Sequence, residues 1–141
     1  MDEALLSLTQ EWLSKAKHDL DNARIVRRDP DGPLDTAIYH CQQAAEKALK
    51  GWLTWEAVEF EKTHDLVKLI KQASINAPEF SRFIESAQLL TPYASAFRYP
   101  GLADEPVPGR EEFDEALRRA NELYGFVCGL IKHRTELGGE G

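Results

Sequence analysis

The stretch Tyr39-His40-Cys41-Gln42-Gln43-Ala44-Ala45-Glu46-Lys47-Ala48-Leu49-Lys50-Gly51-Trp52 decides how this chain folds. Counted from Leu34, apolar residues recur at Ile38, Cys41, Ala45, Ala48, Trp52 and Trp55. Steps of four and three keep such residues in one stripe along an α-helix. Cys41, Ala44, Ala45 and Ala48 are small, so a second helix can approach this seam closely. His40, Gln43, Lys47 and Lys50 recur at the same spacing on another side and are expected to form a polar row. That row has two readings. It lines a cleft or dimer interface that accepts an anionic ligand, or it is a solvated face on which Glu46 and Lys50 form an exposed pair.

Working toward the N-terminus, a first helix is expected from about Glu3 to Arg28. Leu6, Leu13, Ala16, Leu20 and Ala23 fall on its apolar face, with Lys15, Lys17, Asp19 and Asp21 outside. Asp29-Pro-Asp-Gly-Pro33 ends it, because proline breaks the hydrogen-bond ladder and glycine supplies a tight turn. The seam helix then runs from near Leu34 to about Val58, interrupted only by Gly51, which costs about 1 kcal/mol relative to alanine and leaves room for a close neighbour. Toward the C-terminus, Thr63 is the expected cap of a helix holding Leu66, Leu69, Ile70 and Ala73. Asn76-Ala-Pro78 opens another with Phe80, Phe83, Ile84, Ala87 and Leu90, and Tyr93 to Pro100 continues it past a kink. Gly101 to Gly109 is irregular, and a last helix spans about Arg110 to His133. The expected fold is all-α, an up-and-down bundle of four to five antiparallel helices, with one domain over 1–134 and a disordered tail over 135–141.

The chain has 141 residues and a net charge of −7, enough for one domain with its own core. Its 24 acidic against 17 basic residues exclude a generic DNA-binding surface but not a local basic pocket. No apolar run approaches the roughly 20 residues that span a bilayer, so no membrane role and a cytoplasmic location are expected. The two cysteines, Cys41 and Cys128, lie on apolar helix faces and are expected to be free thiols. His18, His40, His64 and His133 lack paired metal-ligand spacing, so no metal and no cofactor are expected. Trp12, Trp52 and Trp55 are a large apolar load; Trp52 and Trp55 exceed what one chain is expected to bury, which favours a homodimer.

Three motifs in order, Tyr39 to Lys50, Thr63-His-Asp-Leu66 and Phe97-Arg-Tyr-Pro100, closely resemble the HEPN family of small prokaryotic helical proteins. The resemblance covers about residues 10 to 130. It implies a helical bundle, often dimeric, commonly paired with a minimal nucleotidyltransferase, with nucleotide binding and a toxin–antitoxin relationship. Several branches of the family are metal-independent endoribonucleases that use an arginine and a histidine with four to six residues between them. Arg98 matches the arginine, but Ala103, Asp104 and Glu105 stand where the histidine belongs. Arginine stabilises phosphate charge but does not shuttle protons near neutral pH, whereas histidine does.

The resemblance therefore implies a non-catalytic module that binds ATP, GTP or a partner protein. Arg98 would hold phosphate, Tyr99 or Tyr93 would stack on a base, and Lys47 would add charge, with Gln43, His40, Lys50 and His64 as further candidate ligand contacts. The alternative is an endoribonuclease toxin with Arg98 at the scissile phosphate and His64 or another histidine in place of the missing one. From the residues alone, Arg98 between Phe97 and Tyr99 reads either as a guanidinium fork for a phosphate and a stacked base or as an arginine paired with a carboxylate at a helix end. Thr63-His64-Asp65 likewise reads as catalytic or as a helix cap that locks a loop.

Overall fold

The computed structural model describes residues 2–101 and 106–139. Asp2 accepts a hydrogen bond from the Ala4 amide at 2.8 Å and so caps α1, Glu3–Arg27. The Pro-Asp-Gly-Pro turn follows, and Gly32 is obligatory in it, since a Cβ there would lie 2.6 Å from the Val26 carbonyl oxygen. The seam helix α2, Leu34–Trp55, then runs back antiparallel to α1. Gly51 is the point of closest approach, where an added Cβ would lie 3.2 Å from both Trp12 Cβ and Leu13 Cδ2. In the same register the buried row Ala16, Leu20 and Ala23 faces the buried row Ala48, Ala44 and Cys41. Small residues on both helices let the backbones close up.

α2 ends earlier than its apolar pattern, at Trp55, because Ala57 adopts a left-handed conformation with φ +57°. The Val58 amide donates to the Leu53 carbonyl and the Ala57 amide to the Thr54 carbonyl, the paired bonds of a Schellman turn. α3, Leu66–Asn76, is capped by Asp65, whose carboxylate accepts from the Val67 amide at 3.0 Å. Thr63, the expected cap, instead accepts from the Asp65 amide and shapes the approach. The segment from Pro78 begins as a 3₁₀ turn, Pro78–Phe83, before α4, Ile84–Leu90. Beyond it the expected kinked helix is a second 3₁₀ turn, Thr91–Ala94, followed by turns in which Phe97 has φ +68°. α5, Arg110–Gly139, runs past the expected end at His133. Residues 140–141 of the expected tail lie outside the described residues.

The chain is thus all-α, with five α-helices and no strand among the described residues. Three long helices carry the frame and α3 and α4 fill the remaining side. α2 is central and packs against all four others. α5 starts beside the α1–α2 turn, where Arg110 donates to the Arg27 carbonyl, and ends beside the foot of α2, where Arg134 pairs with Glu56 at 2.9 Å. It therefore runs parallel to α2. Trp52 is fully buried under Phe80 and Trp55, with the Arg134 guanidinium 5.1 Å from its ring centroid. The expected surplus of tryptophan surface is thus absorbed within one chain at Trp52, while Trp55 is half-buried. Leu6, expected in the core, is 40% exposed. No described helix is long and apolar enough to cross a membrane.

Candidate functional site

A central helix surrounded by neighbours loses much of its polar row from solvent: of the expected row on α2, Gln43 and Lys50 are buried and His40 and Lys47 half-buried. Gln42, Gln43, Glu46 and Lys50 are buried. The exposed Glu46–Lys50 pair expected from spacing is a buried ion pair at 3.0 Å. Such a pair tolerates burial only if its remaining donors and acceptors are filled. For Glu46 they are: its Oε1 also lies 2.7 Å from His64 Nδ1 and accepts from Gln42 Nε2, while the Lys50 ammonium otherwise meets only the Trp12 and Phe60 rings. Gln42 Nε2 further donates to the His64 carbonyl, and Gln43 donates to Gln42.

His40 and Lys47 belong to a second cluster. Both reach Asp19 on α1, each at 2.7 Å. Asp19, expected on the outer face of its helix, is instead buried. Burial pushes its carboxyl pKa up, but the hydrogen bonds from His40 and Lys47 and their charges outweigh that, leaving it below the usual aspartate value. Asp19 lies between Ala16 and Ala23 on the packed face, the one sequence signal that could have found it.

Arg98 lies elsewhere. Its Nη1 donates to the Ala94 carbonyl at 2.9 Å, one turn back, and its guanidinium stacks 3.9 Å over the Tyr39 ring and 5.3 Å from that of Tyr99. These contacts fix the fork without consuming all its donors. Among the described residues it makes no ion pair. It opens on a cavity of about 330 Å³ lined by Asp35, Phe97, Arg98, Tyr99, Pro100 and Pro106. Positions 103–105, where the family histidine belongs, lie outside the described residues.

The structure therefore separates the candidate residues. Arg98 and the half-exposed Tyr99 share the cavity. Tyr93 is buried, its ring stacked on Phe97 and its hydroxyl donating to Glu112; burial and the neighbouring carboxylate push its pKa well up. It holds the turn below Arg98 and has no free face for a base. His40 and Lys47 are spent on Asp19, and Gln43, Lys50 and His64 on the Glu46 network. Tyr39, under Arg98, and Glu46, under His64, are two turns apart on α2, about 10 Å. Tyr39 and Asp35 were missed as site residues, because only the return of the chain past the head of α2 brings them to Arg98. No group of three or more His, Cys, Asp or Glu side chains that could hold a metal occurs among the described residues. Cys41 is a buried free thiol whose pKa burial pushes up to about 12.

The HEPN domain family model matches residues 9–132. Two solved structures resemble the chain over most of its length. ST0689, described as an archaeal HEPN homologue, is 28% identical with a TM-score of 0.69, over 87% of this chain and 97% of that one. TT1696 from Thermus thermophilus is 29% identical with a TM-score of 0.73, over 84% of this chain and 94% of that one. No curated protein matches the chain. The joint between buried Glu46 and exposed His64 ties together two of the three motifs that suggested the family, and with the match over 9–132 it follows that this chain belongs to the HEPN domain family.

Proposed function

We propose that the protein is a non-catalytic HEPN module, a cytoplasmic homodimer that binds ATP or GTP in the Arg98 cavity and works with a minimal nucleotidyltransferase partner as a toxin–antitoxin pair. The observation that supports binding is the Arg98 guanidinium, stacked on Tyr39 and held by the Ala94 carbonyl at the mouth of a cavity of about 330 Å³. A planar fork fixed in this way suits phosphate oxygens. Tyr99, 51% exposed, supplies a ring face for a base, and Asp35 an acceptor for ribose hydroxyls.

Binding is favoured over RNA cleavage because the described lining of the cavity contributes no histidine. General acid–base chemistry needs a group that exchanges protons near neutral pH within hydrogen-bond reach of the scissile phosphate. His64 and His40 have their Nδ1 atoms committed to Glu46 and Asp19.

Isothermal titration of ATP and GTP into wild type and Arg98→Ala tests the reading, with light scattering on the same samples for the dimer. Saturable binding by wild type, weakened about tenfold or more in the variant, is expected for loss of a charge-assisted hydrogen bond. Absence of binding by folded wild type overturns the nucleotide assignment. Growth arrest on expression, relieved by Arg98→Ala, would overturn the non-catalytic reading in favour of a ribonuclease toxin. Neighbouring genes that contain no minimal nucleotidyltransferase, or one whose product fails to copurify with the protein, would overturn the partner.

A further inference from the structure

The residue before Arg98 holds a backbone conformation that its own side chain disfavours. Phe97 has φ +68°, in the left-handed region that a residue with a Cβ seldom enters. It is the third residue of a turn closed by the Arg98 amide, which donates to the Ser95 carbonyl at 3.2 Å. A positive φ at that place in a turn ordinarily calls for glycine or asparagine. A bulky residue stays in such a conformation only where its surroundings hold it there.

They do. The Phe97 ring stacks on that of Tyr93, with centroids 6.2 Å apart and planes 22° apart. Tyr93 is buried, and its hydroxyl donates to Glu112 in the first turn of α5. The ring under Phe97 is thus pinned to a long helix. Packing by itself does not explain the strain, because rings four residues apart also meet on an ordinary right-handed helix. What the left-handed residue changes is the course of the chain after it.

In a continuing helix the Arg98 amide would bond the carbonyl four residues back, that of Ala94. Here the amide turns to Ser95, and the Ala94 carbonyl instead accepts from Arg98 Nη1 at 2.9 Å. The guanidinium so held lies 3.9 Å over the Tyr39 ring. Arg98 is exposed, and a long surface side chain has many rotamers to lose when a ligand fixes it. We propose that Phe97 is a positioning residue of the nucleotide site: its left-handed backbone, locked through Tyr93 to Glu112, aims Arg98 over Tyr39 and frees the Ala94 carbonyl to hold the fork. The effect on affinity rests on the reading of Arg98 as the phosphate contact. A fork already ordered loses less entropy when a phosphate arrives.

The Arg98 Nε–Hε signal in a proton–nitrogen correlation spectrum, assigned by its loss in Arg98→Lys, reads the positioning without any nucleotide. Calorimetric titration of ATP and GTP into the same proteins reads its use. Phe97→Gly permits the backbone but removes the ring, and Phe97→Tyr restores the ring. In wild type the signal is expected upfield, under the Tyr39 ring, with a strongly positive heteronuclear NOE. In Phe97→Gly it is expected to move to the position of free arginine and lose that NOE, with binding about three- to tenfold weaker and helical circular dichroism unchanged. Phe97→Tyr is expected to return both. A mobile Arg98 in wild type, an unchanged signal in Phe97→Gly, or a changed signal with unchanged affinity overturns the proposal. Wild type that binds neither nucleotide overturns the phosphate reading instead, while the signal still decides whether Phe97 holds Arg98. Should Phe97→Gly not fold, Tyr93→Phe keeps the ring and removes only the bond to Glu112; an Arg98 signal as ordered as in wild type then overturns the proposal.

Discussion

His64 Nδ1 lies 2.7 Å from Glu46 Oε1, so a residue that reads as a proton shuttle is the clasp between α2 and the entry to α3. Its neighbours serve the same joint. Thr63 orients the Asp65 amide, Asp65 caps α3, and the His64 carbonyl accepts from Gln42. The Thr-His-Asp motif is thereby explained without catalysis: each side chain closes a hydrogen bond that the turn would otherwise leave open.

Glu46 should be the more sensitive member of this clasp. Glu46→Ala leaves the Lys50 ammonium buried without a counter-charge, and a loss of about 3–5 kcal/mol is expected. His64, with a side chain 68% exposed, should cost only about 1 kcal/mol as His64→Ala. Urea denaturation of both variants checks the ranking; equal losses would mean the histidine carries more of the joint than its exposure implies.

Asp19 gives the fold an acid limit. Its folded pKa lies below the unfolded value near 3.8, so its contribution is present above that value and disappears as pH falls through the folded one. Stability measured by urea denaturation should therefore fall below about pH 4 more steeply in wild type than in Asp19→Asn. Parallel curves for the two proteins would show that the cluster with His40 and Lys47 contributes nothing to the acid limb.

Ala57 occupies the Schellman position that glycine ordinarily fills, at φ +57°. Its Cβ strain there exceeds the entropy glycine would add to the unfolded chain, so Ala57→Gly should stabilise by about 0.5–1 kcal/mol. Thermal denaturation reads this as a raised midpoint. A lowered midpoint would mean the Ala57 methyl contributes more by packing than its strain costs.

The helices were legible because their signals are local. Period and turn chemistry placed the starts of α1, α2 and α5 and the stop at Asp29-Pro-Asp-Gly-Pro33, and the small-residue seam foretold the close approach that Gly51 makes to Trp12 and Leu13. Boundaries failed where several partners compete. α2 stopped at Trp55 instead of Val58, and a 3₁₀ turn replaced the start of α4, because capping and packing outweighed the weak preference of one or two residues. Within the site, the sequence pointed to Arg98 and Tyr99, which do share a cavity.

The pattern along the chain was sufficient for the all-α class and the seam, since these rest on which residues recur at helical spacing, while the family was legible from the resemblance of three motifs in order. It could not say which side of α2 faces water. Once α1, α3 and α5 enclose that helix, much of its polar row loses solvent, so Asp19 must be met by His40 and Lys47, and Glu46 by Gln42, Lys50 and His64. Polar spacing is the same on a solvated face and on a buried one; the difference is made by distant segments that arrive to cover it, and by the energy of leaving a charge unpaired when they do.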